Sequence, residues 1–287
     1  MESSHLFDDF VAPVRPAAPY IGGKRALSRV LVTAIDRIPH DGYAEVFMGM
    51  GGVFLRRTRR PRAEFINDLS EDVATLFRIL QRHYVAFLDM LRFQLTTRSG
   101  FERLLKVDPS TLTDLERAAR FLYLQKLAFG GKVAGRSFGV DTANSGGFDV
   151  TKLQPLLENI HERLASVTIE RLPWQQFLDR YDRPGMLFYL DPPYHGSEGD
   201  YGKGMFPRAA FAEMAERLAQ LQGTFLLSIN DVPEIREIFS GFPMAQLSLR
   251  YTINGAEPLD ARELVISNCT DPALDRLFPG APVTRPA

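Results

Sequence analysis

The stretch that most constrains this chain is Asp191-Pro192-Pro193-Tyr194, which directly follows the apolar run Met186-Leu187-Phe188-Tyr189-Leu190. Five apolar residues, bounded by Pro184-Gly185 and by Pro192-Pro193, predict a short strand buried on both faces. An acid at the carboxyl end of such a strand stands where open α/β sheets bind their ligands. Two prolines lack backbone donors and fix two φ angles, so the turn is stiff and its carbonyls are free to accept. Tyr194 adds a flat aromatic face. Two acceptors, the Asp191 carboxylate and the Pro192 carbonyl, beside a stacking surface suit a planar ring with an exocyclic amino group. A rigid loop whose Asp caps the next helix is the competing reading of these four residues alone.

Composition narrows the class. At 287 residues the chain suits one large domain or a domain with an insert, and 45% hydrophobic with 24% charged residues is ordinary for a soluble globular protein. The net charge of −1 excludes a strongly basic protein but not a local basic patch. One cysteine, Cys269, excludes an internal disulfide and fits a reducing cytosol. No apolar run approaches the roughly 18 residues that span a bilayer, and Met1 to Pro19 lacks a basic-then-apolar leader. The expectation is a soluble cytoplasmic protein. None of the five histidines has ligand spacing to another, so no metal site is expected.

Along the chain, Pro13, Pro16, Asp8 and Asp9 predict a loose arm over 1–18. Pro19-Tyr20-Ile21-Gly22-Gly23-Lys24-Arg25 then opens a helix-like stretch from Ala26 to Arg37, and backbone amides with a Lys at such a junction form an anion site or a plain helix start. Tyr43–Phe47 reads as a strand, followed by the loop Met48-Gly49-Met50-Gly51-Gly52, and Ala63–Asn67 as the next strand, ending in Asp68. That acid lies 19 residues after Gly49, near the spacing of about 20 at which an acid grips ribose hydroxyls. The glycines do not follow G-x-G-x-x-G, which points away from a pyrophosphate and towards a nucleoside such as S-adenosylmethionine. Leu69 to Lys106 has a continuous helical pattern, and Asp114 to Phe129 another. Gly130 to Gly147 is glycine-rich and mildly basic: Lys126, Lys132 and Arg136 suit phosphates, and Ser137 or Asn144 suit base edges, as alternatives to a solvated loop. Further strands are expected at Ser166–Glu170, Met186–Leu190, Thr224–Ile229, Ala245–Tyr251 and Arg262–Ser267. With the two above they make seven, the last two joined without a helix, as in an α/β sheet with a reversed edge pair.

Six pieces in order, Pro19 to Lys24, Glu45 to Gly52, Asn67-Asp68, Phe121-Leu122-Tyr123-Leu124, Asp191 to Tyr194 and Ser228-Ile229-Asn230-Asp231, resemble the Dam-like DNA adenine methyltransferases. The resemblance implies a Rossmann-like class I methyltransferase fold, a seven-stranded, mostly parallel sheet with an antiparallel edge strand, in which 1–78 and 161–287 bind S-adenosylmethionine and a mainly helical insert, 79–160, recognises the DNA target. It implies that Tyr20, Gly22, Gly23 and Lys24 lie against the methionine part, Lys24 near its carboxylate; that Phe47, Gly49 and Gly51 line the cofactor; that Asp68 holds the ribose; and that Trp174 lies beside the adenine. Asp191 and Pro192, stiffened by Pro193, would receive the target amino group, with Tyr194 stacked on a base flipped from double-stranded DNA. The implied protein is a bacterial or phage-encoded monomer or weak dimer. Family members that read GATC carry an Asn-rich hairpin where this chain has Gln125 to Lys132, so base-reading residues do not carry over. Cytosine in DNA, RNA or a protein amide as acceptor, and a non-catalytic DNA-binding relative, are the alternatives.

Overall fold

A computed structural model describes residues 9–24, 27–139, 147–197, 206–251 and 259–286. Eight strands form the main sheet: β1 (Gly42–Glu45), β2 (Ala63–Asn67), β3 (Thr168–Glu170), β4 (Met186–Leu190), β5 (Thr224–Asn230), β6 (Met244–Tyr251), β7 (Leu259–Ser267) and β8 (Val283–Thr284). Their order is β8-β6-β7-β5-β4-β1-β2-β3. The pairs β1–β2, β1–β4, β2–β3 and β4–β5 are parallel. Strand β7 is antiparallel to β5 and β6, and β8 to β6, so only β7 and β8 run against the rest. The mostly parallel sheet with a reversed edge is thus borne out. Beyond the seven strands expected from the sequence lies β8, whose two residues are too few to show a period.

The five-residue run is the centre of this sheet. All of β4 is buried, and its alternation splits it between two cores: Leu187 and Tyr189 face one, Met186, Phe188 and Leu190 the other. Chain order reverses between β1 and β4, because β1 leads outward to β2 and β4 leads the other way to β5. The loops after β1 and β4 therefore open side by side at the switch point, where such sheets bind ligands.

Helices α1 (Ser28–Ile35), α2 (Glu71–Arg82), α3 (Tyr84–Leu91), α4 (Arg98–Lys106), α5 (Asp114–Leu127), α6 (Val150–Arg163), α7 (Trp174–Tyr181), α8 (Ala210–Ala219), α9 (Pro233–Ile238) and α10 (Leu274–Leu277) cover the sheet. The continuous pattern from Leu69 to Lys106 is three helices. His83 leaves the helical region at φ −127°, yet Phe87 and Leu91 go into the same core as Leu76 and Leu80, so the apolar spacing runs through the break. Helix α5 starts in a full capping box between Thr113 and Glu116, and its Arg117 Nε reaches Asp72 of α2 at 2.6 Å. Phe101, Leu122 and Leu157, within the expected insert, share that core with Leu31 and Leu76. The boundaries at 78/79 and 160/161 fall inside α2 and α6. Among the described residues no helix is long and apolar enough to cross a membrane.

The described part of the N-terminal arm is a strap rather than a loose end. Asp9–Phe10 pairs antiparallel with Arg59–Arg60, the Val14 amide donates to the Leu55 carbonyl at 2.7 Å, and Val14, Ala17 and Ala18 are buried. Pro13 and Pro16 forbid a helix, but an extended strap can still bond through its neighbours. Beside it lies a sealed ionic cluster. Glu64 of β2 accepts from Arg57 at 2.7 Å and from both terminal nitrogens of Arg163 at 2.7 Å, with Arg60 Nε at 3.4 Å. Arg57 stacks on Tyr43 at 3.7 Å and Arg163 on Phe54 at 4.0 Å.

Candidate active site

A cavity of about 680 Å³ opens at the carboxyl ends of β1, β2 and β4. It is lined by Tyr20, Gly22, Gly23 and Lys24 from the loop before α1, by Phe47 and Gly49 after β1, and by Asp68 after β2. Trp174 closes one wall, and Asp191 and Pro193 contribute from the turn after β4. Gly51, Pro192 and Tyr194, also expected here, do not line it. Arg15, Glu45 and Phe206 do, without having been singled out from the sequence.

Local backbone demands explain much of this wall. The Gly49 amide donates to Asp68 Oδ2 at 2.8 Å and the Ser70 amide to Oδ1 at 2.8 Å, so Asp68 ties the two loops together. Gly49 has φ +49°, and a Cβ there would stand 3.1 Å from the Tyr20 ring. Burial pushes the Asp68 carboxyl up to about 6, against the pull of those two amides. Each carboxylate oxygen still has a lone pair for a further donor. The neighbouring Asn67 is a staple: Nδ2 donates to the Val46 and Leu172 carbonyls at 3.0 and 3.1 Å, and Oδ1 accepts from the Leu172 amide at 2.8 Å.

Around Asp191 the structure assembles a buried charged group. Lys24, 4% exposed, places Nζ 2.9 Å from Asp191 Oδ1 and 3.0 Å from Glu263 Oε2. The same ammonium donates to the Tyr194 hydroxyl and lies 4.3 Å from that ring's centroid. Ser228 Oγ donates to Asp191 Oδ1 at 3.3 Å and exchanges a 2.7 Å bond with the Tyr189 hydroxyl. Burial pushes the Asp191 carboxyl up to about 6; the Lys24 charge and bond oppose it, and the Glu263 charge adds to it. Lys24 was expected beside a cofactor carboxylate. It lines the cavity, and there two carboxylates and a phenol engage its three N–H groups. Glu263 comes from the reversed strand β7, where no local motif marks it. Glu45 reaches about 8 through burial, aided by the Asp191 charge and opposed by the 2.8 Å bond from the Tyr43 hydroxyl. The Asn230 side chain clamps the turn, accepting from the His195 amide and donating to its carbonyl, each at 3.0 Å.

Residues 20–253 match the family described as D12 class N6 adenine-specific DNA methyltransferase. The chain belongs to that family. Its reaction is the methylation of adenine in DNA. The Type II methyltransferase M.CviBI of Paramecium bursaria Chlorella virus NC1A is 21% identical over 264 residues, 89% of this chain and 100% of the relative. The Type II methyltransferase M1.LlaDCHI of Lactococcus lactis subsp. cremoris is 23% identical over 278 residues, 89% and 95%. A solved structure of a candidate RNA methyltransferase from Pyrococcus horikoshii overlays with a TM-score of 0.37 at 9% identity, covering 90% of this chain and 92% of that one. So loose an overlay carries no argument.

In this D12-class chain the described residues among those expected on DNA divide into three groups. Lys132 and Ser137 are exposed, and the Ser137 carbonyl accepts from the Phe129 amide at 2.9 Å. Arg136 is half-buried and donates to Gln125 Oε1 at 3.0 Å, with its guanidinium over the Phe121 ring. Lys126 lines the cavity, and burial, with Arg15 nearby, lowers its pKa. Asn144 lies outside the described residues. Gln125 also bonds the Pro19 and Gly131 carbonyls, at 2.9 and 2.6 Å, while the Ile21 amide donates to Gly131 at 3.0 Å. A Cβ at Gly131, φ +67°, would stand 2.9 Å from the Tyr20 nitrogen.

Proposed function

We propose that the cavity binds S-adenosylmethionine and that the Asp191–Tyr194 turn receives an adenine flipped from double-stranded DNA. The observation that carries this is the carboxylate at the end of β4. Lys24 and Ser228 both engage Asp191 Oδ1, while neither Oδ2 nor the Pro192 carbonyl has a partner among the described residues. These are the two acceptors an exocyclic amino group needs.

The residues present fit the cofactor. A volume of about 680 Å³ suits a nucleoside with an amino-acid arm. Asp68 would accept from the ribose hydroxyls, and Phe47 and Trp174 supply apolar walls for the adenine. Counting Lys24 as +1 and Asp191 and Glu263 as −1 each, the cluster carries −1, which favours a sulfonium beside it. S-adenosylmethionine, when bound, supplies an electrophilic methyl group on that sulfonium. The chain's own part is position and electrostatics. Bonds from the amino group to Asp191 Oδ2 and the Pro192 carbonyl pyramidalise an otherwise ring-delocalised nitrogen and localise its lone pair. Asp191 is basic enough to take the proton released on transfer. Tyr194, with Lys24 against its ring, offers the base an aromatic surface.

The insert, roughly 79–160, is proposed to read the target, with Lys132 and Ser137 facing the duplex and the protein acting in the cytoplasm as a monomer or weak dimer. The test is expression in cells lacking adenine methylation, followed by single-molecule sequencing of their DNA with modification detection. Methyladenine in one short motif is expected. Unmodified DNA, from protein shown to be folded and to bind the cofactor, would overturn the reading.

A further inference from the structure

Glu263 is the one group of the charged cluster that no motif marks and the transfer does not use. It lies on β7, 2% exposed, across the sheet from the catalytic turn, and its Oε2 takes a bond from Lys24 Nζ at 3.0 Å. Lys24 in turn sits on Asp191 Oδ1 at 2.9 Å and on the Tyr194 hydroxyl. We propose that Glu263 is a positioning residue that works through Lys24: the pair fixes the rotation of the Asp191 carboxylate and sets the pH at which it becomes an acceptor. This inference rests on Asp191 being the acceptor for the adenine amino group.

The geometry gives the pair a task that packing alone does not require. A carboxylate on a short side chain can rotate and present either oxygen. With Lys24 and Ser228 both on Oδ1, rotation is blocked and Oδ2 is the oxygen left for substrate. Lys24 has three donors, and Glu263 and the Tyr194 hydroxyl take two of them, so the ammonium is held from three sides. Without Glu263, Lys24 would be free to swing towards Oδ2 and compete with the adenine.

Charged or titratable groups from several elements face Asp191 among the described residues, and Tyr194, of its own turn, shares Lys24 with it. Lys24, from the loop before α1, favours the carboxylate; Glu263, from β7, opposes it; the Ser228 hydroxyl, from β5, favours it. Glu45, from β1, and Tyr189, from β4, interact with the same charge. Removing Lys24 and removing Glu263 must therefore move the acid limb of the rate profile in opposite directions. A residue that merely supports the fold would not do this.

The experiment measures kcat, with KM for a methylatable duplex and for S-adenosylmethionine, against pH for the wild type, Lys24→Met, Glu263→Gln, the double variant and Lys24→Arg. Asp191→Asn is measured first. If Asp191→Asn keeps wild-type kcat, the acceptor assignment fails, and that failure is separate from the one tested here. With Asp191→Asn inactive, Lys24→Met is expected to move the acid limb up, and Glu263→Gln down, each by about one pH unit, the scale of a single neighbouring charge. Loss of carboxylate alignment is expected to lower kcat about tenfold or more in each single variant, with KM for the cofactor within about twofold. Lys24→Arg is expected to restore part of kcat. Either single substitution can leave a buried charge unpaired and impair folding. The double variant removes both charges, and its limb is expected between those of the single variants. Acid limbs that coincide in all folded variants overturn the proposal, as does a shift in the same direction for both single variants.

Discussion

Two ionic clusters are built into the sheet, and they differ in the charge and the bonding capacity they leave over. Around Glu64, three guanidiniums from Arg57, Arg60 and Arg163 meet one carboxylate, a surplus of +2, with Tyr43 and Phe54 sealing the sides. Around Lys24, two carboxylates meet one ammonium, a surplus of −1, and Asp191 opens onto the cavity. The first cluster spreads its excess charge over planar groups stacked on aromatic rings, which suits arginine's diffuse, weakly hydrated cation. The second keeps compact charges and leaves one carboxylate oxygen exposed to the cavity. Unspent hydrogen-bonding capacity facing a cavity, rather than buried charge as such, marks the site.

Asp191→Asn gives the largest expected effect. It removes the acceptor while keeping the shape, so kcat should fall about 10²–10³-fold, the cost of losing one preorganised polar group, with cofactor affinity retained. Glu64→Gln should do the reverse: about 3–5 kcal/mol of stability lost, because two buried guanidiniums lose their counter-charge, with kcat per folded molecule unchanged. Denaturant unfolding beside initial rates checks both, and a Glu64→Gln that folds normally but turns over slowly would erase the contrast.

The pH behaviour sharpens it. The Asp191 carboxyl rises from 3.8 to about 6 in the fold, so the folded state binds the proton more tightly. Stability attributable to this group is therefore greatest below about 4 and is lost as pH rises through 6, while activity appears over the same window. The stability difference between Asp191→Asn and wild type should shift in favour of the variant between pH 4 and pH 7; a constant difference would mean that the carboxyl is not raised. Next in size, Asp68→Asn should weaken binding of S-adenosylhomocysteine by about 1.5–3 kcal/mol through loss of bonds to a charged acceptor, read by calorimetry; unchanged affinity would take Asp68 out of the site. Smallest of all, Lys132→Ala should reduce the salt dependence of DNA binding by about 0.9 in slope with kcat unaltered. An unchanged slope would show that Lys132 does not face a phosphate.

How much of this was legible follows the range of the interactions. Met186–Leu190 and Ala63–Asn67 match their sequence expectation end to end, because a run bounded by turn residues is a local signal. The glycine loop with Asp68, and the acid, prolines and tyrosine after β4, were legible for the same reason. Lys24 belongs to a local motif, but its partner Glu263 does not. Its contact with Glu263 spans 239 residues of sequence, and nothing in Arg262-Glu263-Leu264 distinguishes a buried acid from a surface one. Arg136 shows the same limit: a basic residue in a glycine-rich loop suggests a phosphate, and nothing local announces its bond to Gln125. The arm over 9–18 was misjudged because its bonds go to Leu55 and Thr58, and prolines give no hint of a distant backbone partner.

The clamp formed by Gln125 and Gly131 on the Pro19–Ile21 segment has a consequence for redesign. The segment after α5 and the Pro19–Ile21 part of the cavity wall are joined by bonds of 2.6–3.0 Å. Grafting this whole loop between relatives is expected to break the joint and disturb the cavity wall. A workable graft keeps Gln125 and Gly131 together with the Pro19–Ile21 segment that they bond.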